Sequence, residues 1–142
     1  MPTRVLLVDD EQDFLSVLSE RLGNRGVAVE TAESGANALE LVDKQDYDAV
    51  VLDLAMPGLD GIETLKRMLK KNPDLQVILL TGHATIEKGV EATREGAMEF
   101  LEKPAKLDLL LEKIGKAREK RVVLVEKRSE QMVTDILKSR GW

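Results

Sequence analysis

The sequence contains no cysteine, a single histidine, and only one Trp, one Tyr and two Phe among its 142 residues. The absence of cysteine excludes disulfides and thiolate metal sites, and it agrees with a reducing cytoplasm, where we expect the protein to reside. No apolar run approaches the roughly 18 to 20 residues of a membrane span, so no membrane contact is expected. The first residues hold too short an apolar run before their acids to form a signal peptide.

Charge is distributed unevenly along the chain. Residues 1–115 hold 13 Lys and Arg against 22 Asp and Glu, a balance of −9, whereas residues 116–142 hold 8 against 4, a balance of +4. An acidic body does not favour nucleic-acid binding. Charges of both signs in the basic tail are typical of a solvated helix face. We therefore expect no direct nucleic-acid binding by this chain.

Short apolar runs alternate with segments of helical spacing along most of the chain. Runs bounded by turn residues predict five strands, at residues 4–8, 27–31, 47–53, 75–80 and 97–102. The segments between them predict helices, one of them capped by Ser34, and a last helix resumes near Ala105. This βαβαβαβαβα order predicts an α/β domain with a parallel sheet covered by helices on both faces.

Polar residues follow four of the five strands at the point where each strand ends. Asp9 and Asp10 follow the first strand, Asp53 ends the third, Thr81 follows the fourth and Lys103 follows the fifth. Parallel strands bring their carboxyl ends to one edge of a sheet, which is where open α/β folds bind ligands. The sequence therefore predicts that three acids, a hydroxyl and an ammonium converge.

This set of groups suits phosphoryl chemistry. Three neighbouring carboxylates repel unless one is protonated or a cation is present. Oxygen ligands favour Mg²⁺, with Mn²⁺ as the alternative. With Lys103, such a metal offsets the charge of a phosphoryl group, to which Thr81 can donate a hydrogen bond. Because the sequence offers no Ser-His or Cys-His arrangement, a carboxylate is the natural nucleophile. The simpler alternative is that Asp9 and Asp10 only cap a helix.

In order and spacing, these residues resemble the CheY-like receiver domains of two-component response regulators. The resemblance covers roughly residues 3–120 and rests on Asp9-Asp10, Asp53 with Met56-Pro57-Gly58, Thr81-Gly82 and Lys103-Pro104. It implies a flavodoxin-like (βα)5 three-layer sandwich, with a five-stranded parallel sheet of order 2-1-3-4-5. The stretch GAMEFLEKPAKLDLLLEKI looks like the receivers of NtrC/DctD-like enhancer-binding activators.

The resemblance implies a role for each site residue. Asp53 is expected to accept a phosphoryl group from a sensor histidine kinase or a phosphotransfer protein. The implied Mg²⁺ ligands are Asp9, partly through water, with Asp10, Asp53 and the backbone carbonyl of Ala55. Lys103 is expected to pair with the phosphoryl group, and its bond to Pro104 to be cis. The implied protein is a phosphorylation-controlled signalling switch, not an enzyme, with self-catalysed phosphotransfer and slow autodephosphorylation.

The resemblance also implies a conformational switch and two tuning positions. Thr81 is expected to move toward the phosphoryl group, and the aromatic residue three positions before Lys103, here Phe100, to turn inward with it. Phe100 has no hydroxyl, so we expect its inward position to gain burial without a hydrogen bond. Ala55 and His83 occupy the positions that set the phosphate lifetime in the family. Ala55 cannot orient a water through its side chain, whereas His83 could orient one or shield the phosphate.

The chain continues beyond the expected receiver. We expect the receiver at residues 1–120 and a helical extension or linker at residues 121–142. Apolar residues there follow a broken coiled-coil-like spacing: Leu111, Ile114, Val122, Val125, Met132 and Ile136. This spacing fits a homodimer through the last helix, in line with family linkers. The alternative is a helix that packs back on its own domain, and the Val122–Val125 run also favours a strand.

Two other functions compete with the signalling switch. A phosphatase of the haloacid-dehalogenase (HAD) type also uses an aspartyl nucleophile and Mg²⁺, but it expects a second Asp at the position of Ala55. A flavin carrier shares the fold. The acids that follow the first strand would repel a flavin phosphate, which needs a Ser, Thr or Gly cradle.

Overall fold

The fold alternates five strands with five helices in the part of the chain that the computed structural model describes, residues 2–56, 61–82 and 86–141. The elements are β1 (Arg4–Val8), α1 (Gln12–Asn24), β2 (Ala28–Ala32), α2 (Gly35–Lys44), β3 (Ala49–Asp53), α3 (Gly61–Lys71), β4 (Val77–Thr81), α4 (Ile86–Arg94), β5 (Glu99–Glu102) and α5 (Leu107–Ser139). As predicted, the Ser34 hydroxyl caps α2 by accepting a hydrogen bond from the Asn37 N–H at 3.1 Å.

The strands form one parallel sheet in the order β2-β1-β3-β4-β5, which confirms the predicted topology. Every residue of β3 and β4 is buried, as expected for central strands, whereas β2 is partly exposed at one edge. Strands β3 and β4 begin two residues later than predicted. Tyr47 and Leu75 are buried, but they precede the first paired residues of their strands. These two residues are apolar because they are buried in the core, although they do not belong to the paired strands.

Helices cover both faces of the sheet and make two separate apolar clusters. One cluster joins the sheet to α2, α3 and α4, with Leu65, Met68 and Ala92 among its buried members. The other joins the opposite face to α1 and α5 through residues that include Leu15 and Ile114. The fold is therefore the predicted three-layer sandwich.

The start of α3 lies unusually close to the backbone that follows β3. A Cβ atom placed on Gly61 would lie 2.8 Å from the Cα of Leu54, the residue after Asp53. Real Cβ contacts essentially never reach this distance, so only glycine fits here. The close approach keeps α3 pressed against the end of β3.

Helix α5 runs unbroken through Val122–Val125, so the strand tendency of this run is not realised. The first two apolar residues of the predicted seam, Leu111 and Ile114, pack against the second cluster. The later ones are exposed, and Met132 is 63% accessible. Among the described residues, none of the helices is both long enough and apolar enough to span a membrane.

Candidate functional site

Three acids meet at the carboxyl-terminal edge of the sheet. Asp9 follows β1, Asp10 is the next residue, and Asp53 ends β3, the strand beside β1. One carboxylate oxygen from each lies within 4.8 Å of the others. Asp9 and Asp53 are buried, whereas Asp10 is exposed. The adjacency of β1 and β3 therefore produces the predicted acid cluster.

Asp9 has two roles in the structure. Its Oδ1 accepts a hydrogen bond from the Glu11 N–H at 2.9 Å, which helps to begin α1. Its Oδ2 accepts a second hydrogen bond from Lys103 Nζ at 2.8 Å. The simpler prediction, that Asp9 and Asp10 only cap a helix, is wrong, because Glu11 is the N-cap residue of α1 and the Asp9 carboxylate also holds the lysine.

Burial raises the pKa of Asp53 above its usual value. The Ala55 N–H, which donates to Asp53 Oδ1 at 3.0 Å, and the charge of Lys103 lower the pKa. The neighbouring Asp9 and Asp10 raise it again, so the net shift is upward. Asp53 is therefore a carboxylate whose negative charge is only partly compensated in the protein alone.

Lys103 reaches the acids from the end of β5. Its Nζ lies 3.7 Å from Asp53 Oδ2, in addition to its hydrogen bond to Asp9. Burial alone lowers the pKa of Lys103, but the hydrogen bond to Asp9 and the charges of Asp53, Asp9 and Glu11 outweigh it, so the net shift is upward. The lysine is thus held as a cation beside Asp53. Its peptide bond to Pro104 is cis, as predicted.

Thr81 ends β4 next to Asp53. The residue is fully buried, and its Oγ1 has no hydrogen-bond partner among the residues that the structure describes. A buried hydroxyl without a partner costs about 1 to 3 kcal/mol. Thr81 therefore offers a donor at the site that no described protein group uses.

The acid cluster fits a Mg²⁺ ion. Opposite ligand oxygens on Mg²⁺ lie about 4.2 Å apart, since each bond is about 2.1 Å long. The carboxylate oxygens of Asp9, Asp10 and Asp53 are already within 4.8 Å of one another. One lysine cannot neutralise three acids, and the donors are all oxygens, which Mg²⁺ prefers. The Ala55 N–H contacts Asp53, and the role of the Ala55 carbonyl as a ligand stays a prediction.

Comparison with known proteins places this arrangement in a family. Residues 5–115 match the response regulator receiver domain. The chain belongs to this family. It resembles the transcriptional regulatory protein GlrR of Escherichia coli K12, with 36% identity over 132 residues, which is 93% of this chain and 30% of GlrR.

Two further relatives support the same assignment. The C4-dicarboxylate transport transcriptional regulatory protein DctD of Pseudomonas aeruginosa is 39% identical over 89% of this chain and 28% of DctD. The crystal structure of a response regulator receiver domain protein from Clostridium thermocellum has a TM-score of 0.83 and 32% identity, covering 86% of this chain and 98% of that chain. The chain thus spans less than a third of the regulators GlrR and DctD. None of these similarities supports the phosphatase alternative.

Phe100, the predicted switch aromatic, lies in β5 and packs against α4. Its ring is half-buried beside the first apolar cluster. A Cβ atom on Gly89 of α4 would lie 3.0 Å from ring atoms Cγ and Cδ2. Glycine at this position thus lets the ring lie directly on the helix. The sequence spacing gave no sign of this contact.

The predicted tuning residue His83 lies outside the described residues, as do Pro57 and Gly58 of the predicted turn. Ala55 is exposed, and its N–H donates to Asp53.

Sequence reasoning missed one neighbour of the site, Phe14 of α1. Its ring centroid lies 4.4 Å from Lys103 Nζ. Phe14 is an apolar residue of α1, and it packs beside the second cluster. The apolar character of Phe14 gave no signal of its contact with Lys103.

Proposed function

We propose that Asp53 is the phosphoacceptor of this receiver and that a sensor histidine kinase or a phosphotransfer protein supplies the phosphoryl group. The observation that carries the proposal is the position of Asp53. It ends a central strand within 3.7 Å of Lys103, and its carboxylate clusters with those of Asp9 and Asp10. A nucleophilic carboxylate, a cation and oxygen ligands for a metal are the groups that phosphoryl transfer needs.

In the proposed reaction, the P–O bond to Asp53 forms as the P–N bond of the donor phosphohistidine breaks. The electron pair of that bond stays on the imidazole nitrogen, which takes up a proton. Lys103 then shifts from Asp9 toward a phosphoryl oxygen and offsets its charge. The buried Thr81 hydroxyl donates to another phosphoryl oxygen and thereby gains the hydrogen-bond partner that it lacks among the described residues.

We propose Mg²⁺ as the cofactor, with Asp10, Asp53 and the Ala55 carbonyl as ligands and Asp9 acting partly through water. The oxygen-only donor set and the mutual spacing of the three carboxylates support this choice. When bound, the ion supplies positive charge against the acids and the incoming phosphoryl group.

Mass spectrometry after treatment with acetyl phosphate and Mg²⁺ tests the phosphoacceptor. We expect a gain of one phosphoryl mass, lost in Asp53→Ala and lost when a chelator removes the metal. Because a small donor replaces the kinase, the test probes self-catalysed transfer directly. Absence of the gain in the wild-type protein would contradict the proposal.

We further propose that Thr81 and Phe100 change position together on phosphorylation. The contact between the Phe100 ring and Gly89 gives this movement a route to α4, because a ring that moves inward leaves that helix. Thr81→Ala is expected to accept the phosphoryl group but to lose the change at Phe100. Methyl and aromatic NMR spectra of the phosphorylated variant and wild type would separate these two effects.

The phosphate lifetime is proposed to depend on Ala55 and His83. Ala55 cannot orient a water by its side chain, which favours slow autodephosphorylation. Phosphate release from His83→Ala, compared with wild type, tests the histidine. An unchanged rate would remove His83 from the mechanism.

We propose that residues 121–142 form a linker that pairs two copies of the chain. Exposed apolar residues on the far part of α5 support this: Val122, Val125, Met132, Val133, Ile136 and Leu137. Such residues at heptad spacing are typical of a coiled-coil seam. Because GlrR and DctD are named transcriptional regulators, control of transcription is the proposed output. Light scattering of the chain with and without residues 121–142 tests the pairing, and an unchanged mass would contradict it.

A further inference from the structure

Phe14 of α1 lies beside Lys103, whose ammonium also contacts the acid cluster. Its ring centroid lies 4.4 Å from Lys103 Nζ, and the same Nζ is 2.8 Å from Asp9 and 3.7 Å from Asp53. We propose that Phe14 is a positioning residue that holds the Lys103 ammonium in place for phosphoryl transfer. This inference rests on the proposed role of Asp53 as the phosphoacceptor.

The ring attracts the ammonium through its electron-rich face. A cation within about 6 Å of an aromatic centroid is attracted by the ring quadrupole, more strongly where water is excluded. The Lys103 side chain is 22% exposed, so it is largely withdrawn from water. The carboxylates of Asp9 and Asp53 and the Phe14 ring all attract the same ammonium, so together they restrict a side chain that would otherwise sample many rotamers.

The surroundings of Phe14 show why another apolar residue would not do the same. Phe14 and Lys103 line one cavity of about 180 Å³, whose wall includes Leu18, Leu80 and Leu110. These aliphatic groups offer no attraction to a cation. With leucine in place of Phe14, the ammonium would keep its carboxylate partners but lose the attraction of the ring.

A neutral ring also suits the step in which Lys103 changes partners. A carboxylate at this position would bind the ammonium as an ion pair and add to the repulsion around Asp53. The ring attracts the cation without a fixed acceptor atom, so Lys103 is free to shift from Asp9 to a phosphoryl oxygen. The effect is therefore expected in the rate of transfer and not in the binding of the phosphodonor.

The test compares three variants of the full chain. Phe14→Leu removes the ring but keeps an apolar side chain, and Phe14→Tyr keeps the ring. The matched control is Val17→Ala, which changes the exposed Val17 in the wall of the same cavity. Circular dichroism establishes that each variant is folded.

Phosphorylation by acetyl phosphate with saturating Mg²⁺ supplies the first measurement. We expect the maximal rate of Phe14→Leu to fall about three- to tenfold, with KM for acetyl phosphate changed less than about twofold. Phe14→Tyr and Val17→Ala are expected to keep the wild-type rate. Equal maximal rates for wild type and Phe14→Leu overturn the inference, as does a loss in Phe14→Tyr equal to that in Phe14→Leu.

NMR of the unphosphorylated protein supplies the second measurement. Protons above an aromatic ring are shielded, so the Lys103 Cε protons are expected to resonate upfield in wild type and Phe14→Tyr but not in Phe14→Leu. Absence of the upfield shift in wild type overturns the inference without bearing on Asp53. A wild-type protein that accepts no phosphoryl group overturns the proposed function itself, and the role of Phe14 in transfer fails with it.

Discussion

Arg128 of α5 forms an ion pair with Asp74, the residue that lies shortly before β4, with 2.6 Å between its Nε and the carboxylate. Arg128 is the last along α5 of three arginines whose side chains contact residues that precede strands of the sheet. Arg118 donates to Thr3 before β1, and Arg121 donates to Asp48 before β3. Because β1, β3 and β4 are neighbours in the sheet, α5 crosses the amino-terminal edge of the sheet, opposite to the acid cluster.

The first prediction concerns this ion pair. Arg128→Met is expected to increase amide hydrogen exchange in residues 129–139, because the end of α5 loses the ion pair that joins it to Asp74. Asp74→Asn removes the charge of the partner and should act in the same direction. Exchange measured by mass spectrometry reports the effect, and the exposed neighbour variant Lys127→Met supplies the control. Equal exchange in Arg128→Met and wild type would show that the contact does not hold the helix.

A second prediction uses Tyr47, the only tyrosine in the sequence. The pKa of Tyr47 is raised to about 12, chiefly by burial. The hydrogen bond to Glu30 and the charge of Glu30 contribute to this increase, whereas the charge of Arg4 has a smaller, opposite effect. The raised pKa favours the folded state below the unfolded-state value of about 10, and this contribution is lost as the pH rises toward 12.

Ultraviolet absorbance of the tyrosinate measures this titration at a single residue. The midpoint for the folded protein is expected near 12, and Glu30→Gln should lower it by removing the charge that the Tyr47 hydroxyl faces at 2.9 Å. Tyr47→Phe supplies the blank, because it removes the signal. A wild-type midpoint at the ordinary value, in protein that is still folded, would contradict the prediction.

The acid cluster was predictable from sequence because it depends on two local signals and one topological rule. Asp9 and Asp53 each follow a short apolar run, and parallel strands align their carboxyl ends. The role of Phe14 beside Lys103 was not predictable in this way. An apolar residue on a helix face is expected to pack in the core. Its contact with Lys103, which lies 89 residues later in the sequence, is visible only in the folded structure.

The same limit applies to α5. Its apolar spacing predicted a helix with a seam, and the helix is present. Its contacts with the sheet edge, however, depend on where long arginine side chains reach. Arg128 and Asp74 are 54 positions apart, and no local pattern links them. Apolar periodicity specifies which face of an element is buried, whereas ion pairs between distant segments require the packed fold.

A third prediction follows from the repulsion around Asp53. Asp53→Asn is expected to increase the free energy of unfolding at neutral pH without Mg²⁺ by on the order of 1 kcal/mol, because it removes a buried charge beside Asp9 and Asp10. The melting temperature should rise by a few degrees. Since the pKa of Asp53 is raised in the folded state, the destabilisation by its charge is present above that pKa and fades as the pH falls through it toward the unfolded value.

Differential scanning calorimetry with and without Mg²⁺ provides the measurement. Mg²⁺ should stabilise the wild type more than Asp53→Asn, because the variant offers one charged ligand fewer. Glu20→Gln on the exposed surface of α1 controls for a general change of net charge. A variant less stable than wild type in chelator would show that the acid cluster is not under repulsion.

The last prediction compares two glycines in helices. Gly61→Ala places a Cβ 2.8 Å from Leu54 Cα and 3.0 Å from its carbonyl oxygen, so α3 must move away from β3. We expect a loss of about 1 to 3 kcal/mol in the free energy of unfolding. Gly115→Ala in α5 meets nothing within 4 Å and should gain about 0.5 to 1 kcal/mol, because alanine favours the helix. Urea unfolding measures both changes, and two gains of similar size would show that α3 does not need its close approach to Leu54.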